Sequence, residues 1–253
     1  MRNIKITIEY DGTNFHGWQK QLGLRTVQGT VEESVKKILQ EDIKIIGAGR
    51  TDRSVHAEGQ VANFLSNTEI KLNTILYRLN KILPEDVRIK SIKEVKKDFH
   101  SRYKVKSKLY RYTILNSSIS SPLSRLYSCY IQDKLDVSKI RLAKKYIEGR
   151  HDFKAFATSG DCHRDTSKMG CVPNFIRTIE KITIQKKGKF IHMKFKAKSF
   201  LKSMVRNIVG TFIEIGRNKM KPEDVKDLLE SRDRRRIPKS APGCGLCLVK
   251  IKY

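Results

Sequence analysis

The sequence predicts an α+β fold in two halves, each a ferredoxin-like antiparallel sheet with helices on one side. Three observations carry this expectation. Apolar patterns of period two and period 3.6 alternate along residues 1–105 in the order strand, helix, strand, strand, helix, strand, the split βαβ arrangement. A looser version of the same alternation runs through residues 106–253. No Gly/Ser-rich linker separates the halves near Lys106, so they are expected to share a continuous surface.

Each element has its own signal. Ile4, Ile6, Ile8 and Tyr10 alternate with polar residues and predict a half-buried first strand. Val27, Val31, Val35, Ile38 and Leu39 share a helical face behind Thr26, a fitting N-cap. Short strands are expected over 43–48 and 60–65, then a helix on Leu72, Ile75, Leu76, Leu79 and Leu83, stopped by Pro84. A strand over 87–95 completes the first half. The second half begins with strands over 109–115 and 127–131, followed by a helix carrying Ile140, Ala143, Tyr146 and Ile147. A hairpin over 176–185 and 190–198 turns at KKGK. The strongest helical stripe is Leu201, Met204, Val205, Ile208, Val209, Phe212 and Ile213, closed by Gly216. A helix from Pro222 and a strand over 245–252 end the chain.

Charge narrows the partners. The chain carries 53 Lys and Arg against 26 Asp and Glu, a formal charge of +27. Such an excess favours a polyanion, either nucleic acid or an acidic membrane surface. No apolar run approaches the roughly 18 residues that span a bilayer. The first residues alternate like a strand and have no signal-peptide block, so a soluble, cytoplasmic protein is expected. Along 190–198, His192, Lys194, Lys196 and Lys198 share one strand face. Basic, RRM-like sheets of this kind suit RNA. A solvated strand face would leave the same pattern.

Five cysteines include Cys244-Gly-Leu-Cys247 and the pair Cys162 and Cys171, with His163 beside the first of that pair. If residues 245–252 form a strand, residues three apart point to opposite faces, which argues against a shared zinc. Ordinary reduced thiols are the better reading, and no metal is expected.

The stretch GAGRTDRSVHAEGQ, residues 47–60, sets one carboxylate, Asp52, between Arg50 and Arg53 in a glycine-flanked loop. Neighbouring arginines favour an ionised carboxylate, and an ionised carboxylate can attack an electrophilic carbon. Alone, the Arg-Thr-Asp triplet fits a structural ion pair as well.

The longer stretch GAGRTDRSVHAEGQVANF resembles the catalytic motif of the TruA-type tRNA pseudouridine synthases. EYDGTNFHGWQKQ, TVQGTVEESVKKIL, FHSRYKVKSKLYRY, HDFKAF, KSFLKSMVRNIVG and GLCLVKI resemble further blocks of that family in the same order. The resemblance implies Asp52 as nucleophile, Arg50 as the arginine that turns the target uridine out of its stack, and Tyr110 as the aromatic that stacks on the base. It implies Arg206 as the cation paired with the carboxylate and Leu246 as an apolar lining of the uracil pocket. By pattern alone Tyr110 and Leu246 would be core, and Arg206 would snorkel beside an apolar stripe. The resemblance further implies a homodimer, a central RNA-binding cleft and uridines of the tRNA anticodon arm as targets. The catalytic loop would come from residues 1–105, and 106–253 would complete the site. The reaction is an isomerisation, so no cofactor is expected. A relative acting on another RNA, such as ribosomal RNA, and an inactive RNA-binding protein are the alternatives.

Three features depart from the family pattern. A small residue and then glycine usually follow the catalytic Asp, where this chain has Arg53 and Ser54. Serine disfavours positive φ, so a different loop path is expected. Arg53 is expected to add a phosphate contact. The segment 158–174 is longer than usual, and Cys247 replaces an aromatic or aliphatic residue.

Overall fold

In the first strand, β1 (Arg2–Tyr10), Ile4, Ile6 and Ile8 are completely buried while Lys5, Thr7 and Glu9 between and after them are partly exposed, as period-two alternation requires. Burying an aliphatic side chain of this size is worth about 1.5–3 kcal/mol, so these three commit the strand to one face. The computed structural model describes residues 1–158 and 174–253. Cys162, His163, Cys171 and all but the ends of the 158–174 segment lie outside the described residues. The chain forms two compact units, Met1–Leu109 with Cys247–Tyr253, and Tyr110–Leu246.

In the first unit, β1 leads to α1 (Val27–Leu39), β2 (Ile46–Gly47), β3 (His56–Ser66), α2 (Leu72–Ile82) and β4 (Val87–Val95). The pairing runs β4-β1-β3, with β2 on β3, and every one of these pairs is antiparallel. Thr26 caps α1 by accepting from Gly29 N at 3.3 Å, a contact worth about 1 kcal/mol.

The strand expected over 43–48 is reduced to two residues, and the reason lies in α1. Glu32 Oε1 accepts from Ile45 N at 3.0 Å, and Gln28 Nε2 donates to Ile45 O at 3.1 Å. Helix side chains therefore satisfy backbone groups that a strand neighbour would otherwise hold. β3 is longer than expected. The register shifts between Ile8↔Gln60 and Tyr10↔Ala57, and this bulge carries the strand through the Glu58-Gly59 step that reads as a loop.

The second unit contains β5 (Ser107–Asn116, whose first residues lie in the first unit), β6 (Cys129–Ile131), α3 (Val137–Ile147) and β7 (Gly149–Asp152). β8 (Ile176–Lys187), β9 (Phe190–Ala197), α4 (Met204–Gly216) and α5 (Asp224–Ser231) follow. Its strand order is β5-β9-β8-β7, with β6 parallel to β5. β7 gives no sequence signal, because its Gly-Arg-His-Asp run is short and polar. Asp136 caps α3 by accepting from Ser138 N and Lys139 N. α4 is buried nearly all round, including Asn207 and Thr211, and α3 packs against it. α5 begins at Asp224 rather than at Pro222, because the Asp224 carboxylate accepts from Lys221 N and closes the turn before it.

The final strand, β10 (Leu246–Lys252), pairs parallel with β3, Cys247 opposite His56 and Leu248 opposite Ala57. Residues Cys247–Tyr253 thus return to the first unit, whereas the pattern alone put the boundary near Lys106 and the last strand in the second half. Cys244 lies in a 3-10 turn, Gly243–Gly245, ahead of the strand. The opposite-faces argument for Cys244 and Cys247 therefore does not apply. Cys129 and Cys247 are buried and Cys244 is half-buried. Among the described residues, no helix is long and apolar enough to cross a membrane.

Candidate active site

The loop between β2 and β3 carries Arg50, Asp52, Arg53 and Ser54. Arg50 and Arg53 are exposed, Asp52 and Ser54 are half-buried, and Thr51 between them is buried. That alternation places Thr51 as the anchor. Its hydroxyl shares a 2.8 Å hydrogen bond with the Tyr10 hydroxyl, and its carbonyl accepts from Trp18 N at 3.0 Å. Burial pushes the Tyr10 phenol well above its ordinary range, so it stays protonated.

The anchor extends to both ends of the loop. Gln60, fully buried on β3, donates from Nε2 to Gly49 O at 2.7 Å and accepts from Val61 N at 3.1 Å. Lys108 Nζ donates to Ala48 O at 2.8 Å. On the other side Val55 N donates to Asp52 O at 3.2 Å and Ser54 N to Phe15 O at 3.3 Å. The block EYDGTNFHGWQKQ lies against this loop. Gly17, at φ +90°, approaches so closely that a Cβ there would stand 2.6 Å from Thr51 O. Gly12 N donates to His56 Nδ1 at 3.0 Å, and Asp11 Oδ1 lies 3.1 Å from the same nitrogen.

Sequence reasoning found the nucleophile candidate but missed Tyr10, Thr51, Gln60, His56 and Lys108. The available signal was that two motif blocks far apart in sequence both carry glycines at points of close backbone approach.

Ser54 overturns an expectation. It adopts φ 60°, the left-handed region that glycine favours, so serine there has not sent the loop along a positive-φ-avoiding path. The conformation costs about 1–2 kcal/mol for a non-glycine residue. Surrounding hydrogen bonds hold it, with Ser54 Oγ reaching Thr13 O at 3.5 Å.

In the second unit, Tyr110 on β5 meets Phe200 edge-on, ring centroids 5.1 Å apart. Arg206 is in the first turn of α4. Its Nε donates to Ala241 O at 2.7 Å, while Ala241 N donates to Arg206 O at 3.0 Å. Tyr112, fully buried on the same side of β5 as Tyr110, donates to Pro242 O at 2.8 Å. The segment leading to Leu246 is thus tied to Arg206 at Ala241 and to β5 at Pro242. Burial pushes the Cys244 thiol up, and the Arg206 guanidinium opposes that rise. Tyr110 and Leu246 are 7% and 6% exposed, covered as core residues are.

Asn207, one residue after Arg206, is fully buried and holds this region together. It donates to Phe156 O at 2.6 Å, accepts from Arg234 Nη2 at 3.0 Å and accepts from Ser240 Oγ. The KSFLKSMVRNIVG block had pointed to Arg206 alone.

The basic row on β9 is only partly free for a ligand. Lys196 Nζ pairs with Glu180 Oε2 at 2.6 Å, a structural ion pair between β9 and β8.

The chain matches known proteins over its length. A tRNA pseudouridine synthase family model matches residues 6–104 and 143–253. The tRNA pseudouridine synthase A of Acetivibrio thermocellus is 43% identical over 253 residues, covering all of both chains. That of Thermoanaerobacter sp. is also 43% identical over both full lengths, and tRNA pseudouridine synthase A 2 of Clostridium perfringens is 44% identical over both. Among solved structures, the archaeal box H/ACA sRNP Nop10-Cbf5 complex aligns at 12% identity and a TM-score of 0.34, covering 97% of this chain and 45% of that one. With its family model matched on both sides of residues 105–142 and full-length relatives above 40% identity, the chain belongs to the tRNA pseudouridine synthase family, isomerases that convert uridine to pseudouridine.

Proposed function

We propose that this chain isomerises uridine to pseudouridine in tRNA, with Asp52 as the nucleophile. The observation that carries the reading is the anchoring of the Asp52 loop. Thr51 is bonded at its hydroxyl and its carbonyl, and Gly49 is bonded by a buried glutamine, so the carboxylate leaves a backbone fixed on both sides. Preorganisation of this kind is what a covalent step needs, since misplacement by about 1 Å can cost on the order of a hundredfold in rate.

The bonds balance without an external oxidant or reductant. The N1–C1′ bond breaks and a C5–C1′ bond forms. The proton that leaves C5 is matched by the one N1 gains. Asp52 forms a transient bond to the substrate carbon it attacks, at C1′ or C6, and is released with its carboxylate restored. Arg50 and Arg53, exposed on either side, serve the displaced base and a phosphate. Tyr110, Leu246 and Arg206 supply the aromatic face, the apolar lining and the countercharge. Anticodon-arm uridines as targets, ferredoxin-like halves and a homodimer belong to the same reading. The β4-β1-β3 order with β2 on β3 supports it for the first unit.

Asp52→Asn tests it. Pseudouridine formation on an unmodified tRNA transcript should fall to background while transcript affinity stays within about twofold. Substantial turnover by this variant would remove Asp52 from the reaction.

A further inference from the structure

On β5, Tyr110 and Tyr112 are buried, while Arg111 and Thr113 alternate with them and point to the other face. That other face holds a cavity of about 430 Å³, built entirely from the second unit. The volume falls within the roughly 300–1,000 Å³ of small-ligand clefts. We propose that this cavity binds one nucleotide of the RNA substrate, its phosphate against Arg111, Lys187 and Lys194 and its base against the rings of Tyr127 and Phe190.

Strand pairing explains why these residues meet. Lys187 is opposite Phe190, and Gln185 opposite His192, so their side chains share a face with Lys194 two residues on. Thr113 Oγ1 lies 3.3 Å from His192 Nδ1, joining β5 to the same surface. Among the described residues, the lining includes three cations and no carboxylate. Lys196, further along the same face, is taken up by Glu180, so the cationic character is concentrated at the Phe190–Lys194 end.

Charge alone would suit any anion; the rings narrow the choice. Phe190 and His192 stack 6.1 Å apart at 15°, and Tyr127 is 52% exposed at the cavity. Burial, then Arg111, Lys187 and Lys194, hold His192 below the usual imidazole range, so near neutrality it offers a neutral hydrogen-bonding ring. Cations beside exposed aromatic faces are the arrangement that tracks a nucleic-acid backbone while stacking its bases. A second copy of this chain is the competing occupant. A symmetric contact there would set Arg111, Lys187 and Lys194 against their own copies, which like-charge repulsion disfavours.

The proposal rests on the reading of this chain as an RNA-modifying enzyme, and its test separates the two. Lys187→Ala with Lys194→Ala, Tyr127→Ala, and the rescue pair Lys187→Arg with Lys194→Arg are compared with the unaltered protein. An unmodified tRNA transcript is the probe, and affinity is measured across a salt series. Removing two of the three cations on that phosphate should weaken binding about tenfold or more and reduce the log–log salt slope by at most about 0.7, the value for one phosphate. Tyr127→Ala should weaken binding at least about fivefold with the slope unchanged, and the arginine pair should restore both. Single-turnover rates at saturating transcript should stay at the unaltered value throughout. Unchanged affinity and slope would overturn the proposal, as would a collapse of the saturated rate, which would move the cavity into the catalytic machinery. A shift in sedimentation with RNA binding intact would assign the face to a second copy and also overturn it. If the unaltered protein binds through these residues but makes no pseudouridine, the cavity stands and the proposed function fails.

Discussion

Gln60 reaches from the middle of β3 to Gly49 with a 2.7 Å hydrogen bond, and its side chain is fully buried. The same amide accepts from Val61 N, so both of its polar ends are used within the fold. This contact joins the buried interior of β3 to the loop that presents Asp52.

Gln60→Leu should therefore destabilise the protein by about 1–3 kcal/mol, because it strands a carbonyl and an amide that were paired. It should also slow the saturated single-turnover rate about tenfold or more, while transcript affinity changes little. Thermal unfolding and single-turnover kinetics measure the two effects. A stable variant with an unchanged rate would show that the loop does not depend on this anchor.

Gly17 faces the loop from the other side. Gly17→Ala must hold φ +90° and place a methyl 2.6 Å from Thr51 O, so it should cost about 2–4 kcal/mol from strain and displacement together. The displaced atom belongs to the residue before Asp52, so pseudouridine formation should fall with stability. A drop in melting temperature with full activity per folded molecule would separate the two.

Ser54 and Arg53 should behave in opposite ways. Ser54→Gly relieves the φ 60° conformation and should raise stability by about 1 kcal/mol, with turnover retained. Arg53→Ala removes an exposed cation and should weaken RNA binding several-fold at low salt, leaving the saturated rate intact. Loss of the saturated rate in Arg53→Ala would give that arginine a part in bond making.

Asn207 gives the corresponding test in the second unit. Asn207→Leu leaves Phe156 O, Arg234 and Ser240 without their shared partner and should cost about 2–4 kcal/mol. Asn207→Asp keeps an acceptor for Arg234 but loses the donor to Phe156 O, so a smaller loss is expected. Chemical denaturation of the two variants ranks these contributions. Equal stabilities would mean that the Arg234 and Ser240 contacts contribute nothing to the fold.

The sequence by itself determined the element types and most of their extents, because burial of one face leaves a periodic record. Ile4, Ile6 and Ile8 announced β1, and the residues from Val27 to Leu39 announced α1 with Thr26 as its cap. Asp52 was singled out by the longer stretch that resembles the family motif, because the Arg-Thr-Asp triplet alone fits a structural ion pair as well. Only the tertiary structure decided what is done by residues without periodicity. Ile45 lost its strand because Glu32 and Gln28, more than ten residues away, took its backbone groups. Ser54 kept a glycine-like conformation because neighbours on both sides over-determine it. β10 joined β3 because parallel pairing is set by which edge is open, and no residue within β10 encodes that. Lys194 and Lys196 look alike in sequence, but Glu180, across the hairpin, takes one and leaves the other at the cavity. Local patterns record which face a segment buries; hydrogen bonds and ion pairs between distant segments are chosen by the fold, because each depends on a partner the local sequence does not contain.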